Sequence, residues 1–517
     1  MNSAEEDMVC DPGVLGSSLK ERILPFGWIE DLPGNTARLV TDHSGSRPLY
    51  YAQQQGQVLS GLTPLSVARK MAAPKLDPVS VADFLVNGTV CYPYTLFEGV
   101  YAAPPGAVTD VTAEKVTSSV YYRPVEEEIR APLEVWGEWL RERAQEALLT
   151  GIEGKQNIKV MFSGGEDSRA VVSLIPRDIP CELVTFADWR NREVKLAERA
   201  AAALQRPLVF VQRPDGFYRA DIQERVHAIG GVFDIRHTHV WGALAEPFKV
   251  ADAVVGGYAA DSLFKSAWMG NVQKSRKRLG PERMIAEGYE DPTGIESAVG
   301  KEWINQAVGA AVDERRMAHH EYIKEFRPLT AGNWHTLWPL GSQRITYSHH
   351  LATRLACSCV VEPFLSPQAY SLAAKMSEEL KVDRKAFRQA FMPLMGKAGW
   401  LPTSSGHIPK LGGHVGRWVE MAMIASRRVR DRMVLASAPM LGRKTVGQGA
   451  WNKDHHGFPL KLEQQISPIQ LEQINGVLSQ ALSREGAGVL AGRRAGGISN
   501  IVCNRMLQLA YLMDPFK

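Results

Sequence analysis

The chain has 517 residues, 60 Lys and Arg against 56 Asp and Glu for a formal net charge of +4, and 45% hydrophobic residues. That length calls for two or three domains, each able to bury its own core, and the even charge balance excludes a strongly basic nucleic-acid platform. Six cysteines scattered at positions 10, 91, 181, 357, 359 and 503 make no disulfide framework, no apolar run reaches the roughly 20 residues of a membrane span, and the acidic start is not a signal peptide, so a soluble cytoplasmic protein with reduced thiols and no membrane partner is expected.

In chain order, residues 25–125 carry short alternating runs at 37–41, 48–53, 57–60, 107–112 and 116–122, separated by turn residues, which predicts a β-rich module. Tyr122-Arg123-Pro124 and the acidic residues 126–128 form a linker, and 133–149 has helical periodicity. From Ile158 the rhythm changes. Predicted strands at 158–162, 182–186, 208–212 and 252–255 alternate with predicted helices at 167–175 and 193–204, the pattern of an α/β fold whose parallel sheet has helices on both faces. Beyond 280 the sequence predicts mainly helices, at 317–326, 342–356, 366–380 and 384–394, then basic helices within 410–450, a Gly/Ala-rich loop at 486–497 and closing helices at 465–483 and 498–513. The resulting division is 1–125, 126–410 and 411–517. The basic patches Lys274–Arg278 and Arg427–Arg430 read as solvated helix faces or polyanion contacts.

The segment Ser163-Gly164-Gly165-Glu166-Asp167-Ser168, between a predicted strand and a predicted helix, carries the most chemistry. Two glycines let the backbone approach an anion, Ser163 and Ser168 add hydroxyls, and the helix start offers unpaired N–H groups, so a phosphate cradle is one reading and a plain strand-to-helix turn the other. Asp167 can hold a cation, and magnesium bridging to a pyrophosphate needs no more than one or two carboxylates. Asp261 also follows a predicted strand. In a parallel sheet both therefore sit on the carboxyl rim where ligands bind, although they are 94 positions apart.

SGGxDS after a strand resembles the pyrophosphate loop of N-type ATP pyrophosphatases, and its surroundings are similar to the asparagine synthetase class. Val254-Val255-Gly256-Gly257-Tyr258-Ala259-Ala260-Asp261-Ser262-Leu263-Phe264 resembles the family's second metal loop, with Asp261 retained and Ser262 in place of the usual glutamate. Glu362-Pro363-Phe364-Leu365 resembles the family's Pro-Phe-Leu segment, with Cys359 and Val361 where a glutamate and an arginine are usual. Ile408-Pro409-Lys410-Leu411-Gly412 resembles the region carrying the lysine of asparagine and β-lactam synthetases. Upstream, 42–51 and 88–106 look like the second half of a glutaminase domain of the Ntn type. The N-terminal cysteine nucleophile of such domains has no counterpart in Met1-Asn2-Ser3, so the remnant is expected to be a structural layer, as in β-lactam synthetase and lasso-peptide cyclases.

The resemblance implies an adenine nucleotide α-hydrolase-like domain behind a partial Ntn-type domain, with ATP and Mg2+ as cofactors. Ser163, Gly164, Gly165, Asp167, Ser168, Thr185, Phe186 and Gly257 would bind the nucleotide, Asp167 and Asp261 the metal, and Lys410 would stabilise an acyl-adenylate. Thr185–Asp188 is either an adenine and ribose contact or a plain strand end. Arg344 and Tyr347, one helical turn apart, either face the cleft or pack within the fold. Arg169 either reaches a phosphate or substrate carboxylate or makes a surface salt bridge. His237-Thr238-His239 with Asp234 offers a metal face or, in preference, an acceptor-pocket wall, and Asp454-His455-His456 reads as loop.

The implied activity is an ATP-dependent amide-forming ligase that adenylates a carboxylate, releasing pyrophosphate, for attack by ammonia, by ammonia from a separate glutaminase, or by an amine. Ammonia transfer would make an amidotransferase acting on carboxylates such as those of surface-sugar precursors. An internal amine would make a cyclase of the lasso-peptide or β-lactam synthetase type. A degenerate ATP-binding scaffold is the remaining alternative.

Overall fold

The computed structural model describes residues 19, 22–125, 127, 129–265, 301–326, 355–357, 359–381, 384–437, 468–486 and 500–514. Its first seven strands are β1 (Gly27–Leu32), β2 (Thr36–Thr41), β3 (Tyr50–Gln54), β4 (Gln57–Gly61), β5 (Val100–Ala102), β6 (Ala107–Val111) and β7 (Val116–Val120). They form two antiparallel sheets, β1-β2-β6-β7 and β4-β3-β5. Leu39 and Val111 from the first sheet share an apolar layer with Tyr51 and Val58 from the second. Gln55 and Gly56, both at positive φ (51° and 76°), close the β3–β4 hairpin as a two-residue turn whose twist suits the strands.

Helix Pro78–Asn87 starts at Asp77, whose carboxylate accepts from Val79 N and Ser80 N, and stops at Gly88 in the left-handed region. Its Val81, Phe84 and Leu85 join one core with helices Ile222–Ile229, Gln306–Lys324, Pro468–Ala481 and Asn500–Met513. A buried ion cluster pins this junction. Asp234 accepts from Arg236 Nη2 (2.6 Å) and Arg505 Nε (2.8 Å), and Arg505 Nη1 donates to Leu85 O (2.7 Å). The last helix of the chain is thereby tied to the first module. Of the region expected at 411–517, helix Gly413–Ser437 lies elsewhere, with Arg427 Nη1 donating to Ser404 O (2.7 Å).

The second sheet system is parallel, in the order β10-β9-β8-β11-β12, built from β8 (Ile158–Met161), β9 (Glu182–Ala187), β10 (Leu208–Gln212), β11 (Ala253–Val255) and β12 (Val360–Val361). Alternation along the strands feeds two apolar layers. Ile158, Val160, Leu183, Ala253 and Val255 pack with helices Leu133–Ile152, Glu166–Leu174 and Arg192–Leu204, while Met161, Val184, Val254 and Val360 pack with Val240, Ala245 and Phe248 on the other face. The chain runs outward from β8 to β10, then returns to β11 on the opposite flank of β8. That reversal opens a crevice at the carboxyl ends of β8 and β11, where ligands of open α/β sheets bind.

The α/β reading, the β-rich start and the helical end thus hold, with local corrections. Strands β1, β5 and β12 were not expected. The helix predicted at 317–326 begins at Gln306, where the Asn305 side chain accepts from Ala307 N (3.0 Å), and the predicted helix 366–380 breaks into Pro367–Lys375 and Glu378–Lys381. Within 410–450 the described helix is Gly413–Ser437. Residues 342–354, with Arg344 and Tyr347, the patch 274–278, residues 454–456 and most of 486–497 lie outside the described residues.

Candidate nucleotide site at the sheet switch point

The loop after β8 is shaped by contacts that demand glycine. Gly164 adopts φ +69°, and a β-carbon there would stand 2.7 Å from Ala197 Cα, so the loop lies directly on helix Arg192–Leu204. Gly165 N donates to Ser163 Oγ (3.2 Å) and Ser168 Oγ donates to Gly165 O (3.1 Å), which folds the loop onto the start of helix Glu166–Leu174. The helix N-terminus faces a pocket of about 330 Å³. Ser163, Asp167 and Ser168 line it from this side, Thr185 and Phe186 from the end of β9, Gly257, Tyr258 and Ala259 from the loop after β11, and Asp261 from the short helix Ala260–Phe264 that follows.

Seven of the expected site residues, Ser163, Asp167, Ser168, Thr185, Phe186, Gly257 and Asp261, therefore meet in one cavity. Gly164 and Gly165 shape its floor loop without lining it. Thr185 and Phe186 lie within β9, which runs on to Ala187; Asp188, next in sequence, accepts from Arg213 Nη1 (2.7 Å). Lys410 does not line the cavity. Its backbone N donates to Gly399 O (2.9 Å), and a β-carbon on Gly399 would stand 2.7 Å from Lys410 Cγ, so its stem runs along that glycine. Ala259 is held at φ +69°, a costly conformation for a non-glycine residue and one that clusters at functional sites.

The electrostatics centre on a residue that sequence reasoning passed over. Lys265 Nζ donates to Asp167 Oδ1, lies 2.5 Å from Asp261 Oδ1 and 3.7 Å from Glu166 Oε2. Burial opposes the Lys265 charge, but Asp167, Asp261 and Glu166 together outweigh it and raise its pKa above the ordinary lysine value. Burial, then repulsion from Asp261, pushes the Asp167 carboxyl up, whereas Lys265 holds Asp261 down. Glu166 is buried, which alone would raise it. His407 Nε2 at 3.3 Å, Lys265 and Arg384 Nε at 3.5 Å prevail and bring it to about 2. A divalent ion bridging Asp167 and Asp261 would have to displace the ammonium that already joins them, so the residues as arranged do not fit a metal in that seat.

Glu362, directly before the Pro-Phe-Leu segment, was also missed. Its Oε2 accepts from Tyr258 N (2.9 Å), fixing the loop after β11, and burial pushes its carboxyl up to about 8 despite that bond. Arg169 corrects both expectations made for it. It is fully buried, and its guanidinium donates to the carbonyls of Gly164 (2.9 Å), Ala398 (2.7 Å), Leu401 (2.6 Å) and Pro402 (2.9 Å), so it is an internal brace and neither a ligand contact nor a surface salt bridge. His239 Nδ1 lies 3.2 Å from Tyr218 OH, and neither it nor His237 lines the pocket. Among the described residues no group of three or more His, Cys, Asp or Glu side chains is placed to hold a metal ion, and no helix is long and apolar enough to cross a membrane.

Residues 28–122 match the family model of a glutamine amidotransferase domain. The match covers β1 to β7 and supports an asparagine synthetase-like N-terminal region in a protein of amidotransferase type. Cys91, within it, is buried, with Sγ 3.5 Å from Tyr92 O and Arg315 O, so this thiol is not presented to a substrate. No curated protein matches the chain.

Proposed function

We propose that the chain is an ATP-dependent amide-forming ligase of the asparagine synthetase type. It would adenylate a carboxylate and pass the acyl group to ammonia or an amine. The observation that carries this reading is the convergence of the glycine loop after β8 and the Asp261 loop after β11 on one pocket at the switch point, in a chain whose N-terminal module is of the amidotransferase kind.

Under this reading the apolar wall of Val184, Phe186 and Val194 receives the base, and the N-terminus of helix Glu166–Leu174 faces the phosphates. The carboxylate oxygen attacks the α-phosphorus, the bond to the pyrophosphate oxygen breaks, and the nitrogen nucleophile then displaces AMP from the acyl carbon. Lys265 and Arg384 are the cations that face the acidic residues Glu166 and Asp167, and fixed positive charge stabilises a departing polyphosphate without reorganisation. Lys410 remains the proposed partner of the adenylate.

ATP–pyrophosphate isotope exchange tests the proposal, using a panel of aspartate, uronic acids and peptides with acidic side chains. Exchange dependent on one carboxylate and abolished in Asp167→Ala is the expected result. ATP binding without exchange for any carboxylate would instead favour a non-catalytic nucleotide-binding protein.

A further inference from the structure

Lys265 follows the short helix Ala260–Phe264, and its side chain turns inward, leaving the residue only 8% exposed. The ammonium joins carboxylates from two different strand ends, Asp167 after β8 and Asp261 after β11, and lies 5.0 Å from the centre of the Phe387 ring. Withdrawing a lysine from water is strongly unfavourable unless its partners are close and well placed. Here they are, and they are the very pair that sequence reasoning assigns to a bridging cation.

The geometry points to Lys265 as the protein's own cation in the seat between Asp167 and Asp261, in place of a divalent ion. The cluster of Glu166, Asp167 and Asp261 already faces Lys265 and Arg384, with His407 on the far side of Glu166. A divalent ion entering the seat would meet a fixed ammonium of like charge and would have to expel it from a buried position. Removing the lysine leaves two carboxylates at one point, the arrangement that hard divalent cations bind. The inference rests on the nucleotide reading only in its consequence, that a polyphosphate in the pocket needs no metal between the two aspartates.

Calorimetric titration with Mn2+ in the absence of nucleotide tests the seat directly, on wild type, Asp261→Asn, Lys265→Met, Lys265→Arg and Lys265→Met/Asp261→Asn, each checked for native unfolding. Lys265→Met is expected to bind Mn2+ at least about tenfold more tightly than wild type, and the gain should vanish in the double variant. Lys265→Arg, which keeps a cation in place, should behave as wild type. Wild type binding Mn2+ as tightly as Lys265→Met, or losing Mn2+ binding in Asp261→Asn alone, would overturn the inference, and the wild-type and Asp261→Asn arms decide it even if Lys265→Met does not fold. ATP titrated in EDTA separates the two readings: no binding to any variant counts against the nucleotide site, while the Mn2+ result still decides what sits between the aspartates.

Discussion

The carboxylate of Glu362 lies over Gly256 so closely that a β-carbon on the glycine would stand 2.3 Å from Oε1 and 2.6 Å from Oε2. Glu362 cannot simply swing away, because it is buried and its Oε2 accepts from Tyr258 N. Gly256→Ala should therefore break that bond and shift the loop bearing Gly257 and Asp261. Overpacking of this kind costs about 1–3 kcal/mol. Denaturant unfolding measures the loss, and nucleotide titration should show weaker binding even where the variant is fully folded.

Glu362 also predicts a pH dependence. Its carboxyl is raised from an ordinary 4.5 to about 8, so between those values the folded chain holds a proton that the unfolded chain has lost. The Glu362 contribution to stability is complete below pH 4.5 and is lost as pH rises toward 8, with a slope approaching about 1.4 kcal/mol per pH unit. Glu362→Gln should flatten this segment of the stability profile. Urea unfolding of both proteins at pH 5, 6.5 and 8 checks it, and parallel curves would refute the assignment.

Glu166 behaves in the opposite sense. Its carboxyl is depressed from 4.5 to about 2, so its contribution is present above 4.5 and disappears as pH falls toward 2. Glu166→Gln should lose stability at neutral pH and be less sensitive than wild type to acid within that window, as thermal unfolding across pH 5 to 2.5 will report.

Arg169→Met removes hydrogen bonds to four backbone carbonyls in two segments, the glycine loop and residues 398–402; Ala398 O keeps Leu401 N (3.2 Å), and those of Gly164, Leu401 and Pro402 lose the guanidinium. Each carbonyl left buried without a partner costs about 1–3 kcal/mol, so a loss of at least 3 kcal/mol is expected. Arg169→Lys should recover little, since one ammonium cannot reach the span of a guanidinium fork. Chemical unfolding measures both.

Breaking the Asp234 cluster should be costly in another place. Arg505→Leu leaves the Asp234 carboxylate with Arg236 alone and strips the bond to Leu85 O. Removal of one partner from a buried pair typically costs about 3–5 kcal/mol. Limited proteolysis should then release helix 500–513 before the parallel sheet is cut.

What was legible in the sequence follows from what leaves a local pattern. The β-branched runs of β8, β9 and β10 and the glycines after β8 and β11 announce a strand that ends in an exposed turn, and a parallel sheet brings such ends together. The convergence of Asp167 and Asp261 followed from that alone. Lys265 left no such trace, because a single lysine after Leu263-Phe264 looks like the first solvated residue beyond a helix, and only the fold turns it inward. Glu362 before a proline and Arg169 on a helix start are likewise unremarkable until their surroundings are buried. Strand β12 has two residues and no period to detect, and β1, with the acids Glu30 and Asp31, resembles a loop until it pairs with β2.

The bond from Arg505 to Leu85 spans 420 positions, and that separation has a consequence for synthesis. Domains normally fold as they leave the ribosome, N-terminal part first. The two β-sheets of the first module can form early, yet the cover of helix 78–87, begun by helices 222–229 and 306–324, is not complete until residues 468–513 have been made. A nascent chain stalled before residue 306 would display much of Val81, Phe84 and Leu85 to its surroundings, and one stalled before 468 would leave their cover unfinished, making this surface a natural handle for chaperones and a place where truncated products would aggregate.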